Sequence, residues 1–95
     1  MILGYRDRKT RAFAEGRSVK AFRSFETQAA KRLAILNAAP SLDTLRSLPG
    51  NHLEALRGER KGQYSIRINR QWRLCFEWPD GHAGPDNVEI VDYHG

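Results

Sequence analysis

Asp92, Tyr93 and His94 stand side by side at the end of the sequence, a carboxylate, a phenol and an imidazole in consecutive positions. A histidine titrates near neutrality, at about pH 6.5 when unperturbed, so it can take or give a proton, and a neighbouring carboxylate or phenol can fix its orientation. Breaking RNA without a metal needs a base for the 2′-hydroxyl, cations for the extra phosphate charge and a proton donor for the leaving 5′-oxygen. Arg73, Arg57 and His94 are side chains of those types. On spacing alone a terminal Asp-Tyr-His is more often a solvated tail, which leaves both readings open. Other chemistries find less support. Gly58-Glu59-Arg60-Lys61-Gly62 lacks the spacing of a phosphate-binding loop and precedes a strand rather than a helix. There is no Gly-Xaa-Ser-Xaa-Gly elbow, and Cys75 falls in mid-strand, where a small buried residue is the ordinary reading. His52, His82 and His94 share no ligand spacing, so neither a metal nor another cofactor is expected.

Charge points to the partner. Sixteen Lys and Arg against eleven Asp and Glu give a net +5 over 95 residues, the footprint of a nucleic-acid partner. The cations are concentrated: Arg57, Arg60, Lys61, Arg67, Arg70 and Arg73 face only Glu59 between positions 57 and 73, whereas the stretch after Arg73 holds acids and no Lys or Arg. Twelve of the sixteen cations are arginine, whose planar fork suits bidentate phosphate contact. Lys31 and Arg32, with the other helical cations, are candidates for a sequence-blind grip on an RNA backbone. No apolar run approaches the roughly 18 residues that span a bilayer, and the start lacks a basic segment followed by an apolar one. A cytoplasmic location and no membrane partner are therefore expected, and a lone cysteine suits a reducing compartment.

These residues need a scaffold, and 95 residues allow one small domain, 1–95, with a modest core and a shallow groove for a site. Residues 2–5 read as a short strand, and Asp7 as the N-cap of a helix stopping at Gly16. Phe22, Phe25, Ala29, Leu33 and Leu36 recur at steps of three and four and predict a helix over 20–39, ended by Pro40. Ser41 can cap a short turn carrying Leu42, Leu45 and Leu48. The period then changes to two: Tyr64, Ile66 and Ile68, followed by Trp72, Leu74, Phe76 and Trp78, make a hairpin through Asn69-Arg70-Gln71. The spacing predicts a last strand over 87–93 and a further short one over 53–56. The fold class is α+β, with two N-terminal helices on one face of an antiparallel sheet of three to five strands. Trp72 and Trp78 share the apolar alternation and are expected in the core, and Arg67 shares the opposite face with Ser65, where it can join Arg73.

The frame Leu56-Arg57-Gly58-Glu59-Arg60-Lys61-Gly62-Gln63-Tyr64-Ser65-Ile66-Arg67-Ile68-Asn69, then Gln71-Trp72-Arg73-Leu74-Cys75-Phe76, then Val88-Glu89-Ile90-Val91-Asp92-Tyr93-His94, resembles the HigB-type toxins of the RelE superfamily. Phe25-Glu26-Thr27-Gln28-Ala29-Ala30-Lys31-Arg32-Leu33 and Leu45-Arg46-Ser47-Leu48-Pro49 look like the same family, so the resemblance covers nearly the whole chain. It implies a RelE-like fold and an endoribonuclease that enters the A site of the 70S ribosome, cuts mRNA during translation and inhibits growth. It implies silencing by a helix-turn-helix, HigA-like antitoxin, with operator DNA touched only through that antitoxin. The resemblance assigns Arg73 to phosphate stabilisation, and Asp92, Tyr93 and His94 to proton transfer and substrate positioning. Some relatives carry a histidine and a lysine where Glu54 and Arg57 align, so the basic function survives at Arg57 and the histidine does not. Arg60, Lys61, Arg67 and Arg70 complete the expected RNA contacts. The rival from another class is a module that binds RNA or the ribosome without cutting.

Overall fold

The computed structural model describes residues 1–92. Its four strands, β1 (Glu54–Ala55), β2 (Gln63–Arg67), β3 (Trp72–Glu77) and β4 (Asp86–Asp92), form one sheet in chain order with every neighbour antiparallel. The hairpin of period-two residues is β2–β3, in the register Ile66 opposite Leu74 and Tyr64 opposite Phe76. Its turn is fixed by Asn69, whose Oδ1 accepts from the backbone N–H groups of Gln71 and Trp72, each at 2.8 Å.

Helices α1 (Arg8–Ala14), α2 (Glu26–Ala38) and α3 (Leu42–Arg46) precede the sheet. Ala29, Leu33 and Leu36 of α2 are buried with Ile66, Leu74, Phe76, Val88 and Ile90, so the helices cover the face on which these strand residues lie. Burying one Leu or Ile side chain contributes roughly 1.5–3 kcal/mol, and this cluster is the main apolar driving force of so small a chain. Ser41 caps α3 as expected, its Oγ accepting from the Thr44 N–H at 3.3 Å.

Three expectations are corrected. The helix over 20–39 is two elements, a 3₁₀ helix (Lys20–Phe25) followed by α2. Phe22 and Phe25 are three apart, and three residues per turn puts both rings on one side, where both meet Trp72, Phe25 stacked at 4.7 Å and Phe22 edge-on at 5.9 Å. The strand over 2–5 shrinks to a single parallel bridge between Tyr5 and Val88. The Leu3 N–H donates to the Pro85 carbonyl, but a proline has no N–H to return and the ladder stops. Asp7 occupies the N-cap position of α1 without capping through its side chain, and its Oδ1 is buried with no partner among the described residues. The α1 helix is instead tied to the sheet by Thr10, fully buried, whose Oγ1 accepts from the Ile90 N–H at 2.9 Å. With Tyr5 at Val88 and Thr10 at Ile90, the outer edge of β4 is occupied rather than left open to another chain.

Candidate active site

Strand alternation sends Trp72, Leu74 and Phe76 under the helices and Arg73, Cys75 and Glu77 to the opposite face. On that face Glu54, Ser65, Cys75 and Glu89 lie in register across all four strands, and Arg67, Arg73 and Val91 form the next row. Its floor is small and polar, Ser65 and Cys75 both fully buried, and its upper layer is made of guanidinium groups.

Arg73 is the best held of these. Its Nε donates to Ser65 Oγ at 2.7 Å and its Nη2 to the His52 carbonyl at 2.7 Å, and Nη1 lies 3.6 Å from Glu54 Oε1. The Arg73 side chain is 11% exposed while Glu54 is 54% exposed. The His52 carbonyl is aimed by an unusual backbone: His52 takes φ 45°, ψ 55°, directly after a 3₁₀ turn (Pro49–Asn51). That turn hangs on Asn51, fully buried, whose Nδ2 donates to the Leu45 carbonyl at 3.1 Å and whose Oδ1 accepts from Arg32 Nη1 at 2.7 Å.

Arg67 stands directly opposite Arg73 in the hairpin, and its Nε donates to the Asn69 carbonyl at 3.3 Å. Like charges directly opposite one another in a sheet are destabilising, and the Glu54 carboxylate 3.6 Å from Arg73 offsets part of that cost. Arg60 donates to Glu89 Oε1 at 2.8 Å and to Gln63 Oε1 at 3.0 Å, and Arg6 Nε lies 3.8 Å from the same carboxylate. Beneath them, burial pushes the Cys75 thiol up to about 11; the Arg60 guanidinium, and more weakly those of Arg73 and Arg6, pull it down, while Glu89 adds to the rise. A thiol kept protonated is no nucleophile at neutral pH.

Arg57 is exposed at the start of a second 3₁₀ turn (Gly58–Arg60) and, with Glu54, Ala55 and Leu56, lines an open cleft of about 600 Å³. Glu54 thus borders both this cleft and Arg73. Lys61 and Arg70 are exposed, on the loop into β2 and on the hairpin turn. Asp92 pairs with Trp72, one register step from Arg73, and its Oδ2 accepts from Gln71 Nε2 at 2.9 Å. Tyr93 and His94 lie outside the described residues. The structure brings Arg73, Arg67 and Arg60 to one face, with Val91 of β4 beside Arg73, whereas Asp92, paired with Trp72, falls by alternation on the other face at the end of the strand. Lys31 and Arg32 are elsewhere, on α2: Lys31 is exposed and Arg32 is hydrogen-bonded to Asn51.

Sequence reasoning did not find Ser65, the His52 carbonyl or Asn51 as supports of Arg73. A serine inside an apolar-alternating strand was the available signal for Ser65. Nothing local marks a backbone carbonyl or a buried amide on a distant turn. Trp72 and Trp78 are half-buried and packed on the core, Trp78 Nε1 donating to the His82 carbonyl at 3.1 Å, so neither stands free as a base-stacking platform.

Comparison with known proteins adds an independent line. A family model described as HigB-like toxin, the RelE-like toxin of type II toxin–antitoxin systems, matches residues 5–94. Toxin HigB-1 of Vibrio cholerae serotype O1 is 48% identical over 60 residues, 63% of this chain and 63% of that protein. An uncharacterized protein of Haemophilus influenzae is 41% identical over 54 residues, 57% of this chain and 54% of that protein. Both alignments therefore span less than two thirds of the relative's length.

Proposed function

Given that the chain belongs to the HigB-like toxins, the RelE-like toxins of type II toxin–antitoxin systems, we propose that it is a ribosome-dependent endoribonuclease cutting mRNA during translation, neutralised by a HigA-like antitoxin. The observation that carries this reading is Arg73: a guanidinium oriented by two neutral acceptors and directly opposite a second arginine in the hairpin. Neutral acceptors fix its direction without consuming its charge.

The reaction is transesterification within the message. The 2′-oxygen forms a bond to the adjacent phosphorus as its proton leaves to a base, and the bond to the 5′-oxygen breaks as that oxygen takes a proton from an acid. A 2′,3′-cyclic phosphate and a 5′-hydroxyl result. Asp92, Tyr93 and His94 handle the protons, and Arg73 stabilises the charge that grows on phosphorus-bound oxygen, with Arg57 as the second cation. Arg67, Arg70, Arg60 and Lys61 follow the backbone of the message, and Lys31 and Arg32 touch ribosomal RNA from the helical side. So shallow a surface cannot orient a flexible strand unaided. Orientation by the ribosome supplies the missing part of the barrier reduction, and free RNA is cut poorly.

The test is to map transcript 5′ ends after brief induction, with and without the antitoxin. New ends in register with codons are expected from the parent chain, and none from Arg73→Ala or His94→Ala, each folded and each without growth arrest. Ribosomes stalled on uncut message would replace this reading with that of a non-catalytic ribosome-binding module.

A further inference from the structure

Glu54 departs from what a phosphate-binding surface would call for. A carboxylate borders the cleft beside Arg57 and reaches within 3.6 Å of the guanidinium that is to meet a phosphate. Three contacts of Arg73 among the described residues differ in kind. Ser65 Oγ and the His52 carbonyl, both at 2.7 Å, are neutral and set its orientation, whereas Glu54 at 3.6 Å is beyond the 2.7–2.9 Å of a charge-assisted hydrogen bond and contributes charge. The two partners also differ in exposure. Arg73 is 11% exposed in mid-sheet; Glu54 is 54% exposed on a two-residue strand at the sheet edge.

We propose that Glu54 is an intramolecular counter-ion of Arg73, holding the place of the substrate phosphate and setting how tightly a phosphate binds. This rests on the reading of Arg73 as the phosphate-binding group. In the resting protein Glu54 offsets the Arg67–Arg73 pairing; in the complex it is displaced, and the work of displacing it weakens substrate binding. Glu54 is a positioning residue that acts through Arg73. Its removal therefore changes binding and spares the chemical step.

The experiment compares the full chain with Glu54→Gln, which keeps the shape and removes the charge, and with Glu59→Gln, an equal change in net charge at an exposed position of the following turn. Two readouts are taken: inorganic phosphate titrated against the backbone and guanidinium NMR signals of Arg73, and cleavage of mRNA on programmed ribosomes. Glu54→Gln is expected to bind phosphate 3- to 10-fold more tightly and to lower KM by a similar factor with kcat within twofold, while Glu59→Gln stays within twofold in all three. Equal behaviour of the two variants overturns the proposal, as does a fall in kcat with KM unchanged. Glu54→Ala, for which the same gain is expected, decides the matter if the glutamine variant folds poorly. If no protein cuts programmed ribosomes, the endonuclease reading fails, and the phosphate titration still decides the role of Glu54.

Discussion

At the scale of single residues, the sheet's open face separates groups that carry charge from groups that must not. Cys75 lies among Arg73, Arg60, Glu89 and Arg6, yet it is fully buried and its thiol is pushed up to about 11 from an ordinary 9.0. The folded state then holds a proton that the unfolded chain releases between pH 9 and 11, so stability is full below pH 9 and falls as pH rises through that window. At pH 10.5 the loss due to this thiol is about 2 kcal/mol. Urea unfolding at pH 8 and pH 10.5 checks it: the parent loses that much more than Cys75→Ala, which retains only a shallower decline from groups such as Tyr5, whose hydroxyl burial likewise holds protonated. Equal declines would mean that the thiol is solvated. Alternation in the sequence put Arg73 on the face away from the apolar residues and Cys75 among buried positions, while the role expected of Arg73 came from the family resemblance. It could not disclose Ser65 or the His52 carbonyl, because the contacts that matter join positions 8 and 21 residues away from Arg73.

At the scale of elements, the short turn before β1 matters more to the site than its length suggests. Asn51 joins α2, through Arg32, to the end of α3, through the Leu45 carbonyl, and so fixes the turn from which His52 reaches Arg73. Asn51→Ala strands a buried carbonyl and frees the turn, with an expected cost of about 1–3 kcal/mol. It should also lower kcat about tenfold, since a misdirected guanidinium stabilises the transition state poorly. Arg32→Ala should cost less on both counts, because the asparagine keeps its bond to Leu45. Denaturant unfolding and ribosomal cleavage of the two variants check the order, and Arg32→Ala proving the more damaging would move the hinge to α2. Elements were legible where one period prevailed. The β2–β3 hairpin and the core face of α2 follow from steps of two and of three to four. The 3₁₀ helix did not emerge because Phe22 and Phe25, three apart, satisfy either helix, and only Trp72 across the core decides between them. The strand over 2–5 failed for a reason lodged in Pro85, 80 residues downstream of Tyr5.

At the scale of the whole molecule, the sheet divides the work: its helix-covered face holds the fold together, and its open face gathers Arg67, Arg73, Arg60 and Arg6. No helix among the described residues is long and apolar enough to cross a membrane. A net +5 read from composition speaks of a polyanionic partner and says nothing of where the charge lies; the fold separates two populations of cations. Arg67 sits opposite Arg73 on the open face, while Lys31 is exposed on α2, the element that covers the other one. Both neutralise RNA phosphates in the proposed complex, so Arg67→Ala and Lys31→Ala should each weaken binding to programmed ribosomes and reduce the slope of log affinity against log salt by about 1. The two should part at saturation. Lys31→Ala restores the parental kcat once ribosomes are in excess, because a backbone grip on the helical side adds affinity and leaves the cleaved linkage untouched. Arg67→Ala does not, because the message then loses a contact on the face where its phosphate meets Arg73. Full recovery of both variants at saturation would mean that the open face only binds, and that the chemistry is placed elsewhere in the complex.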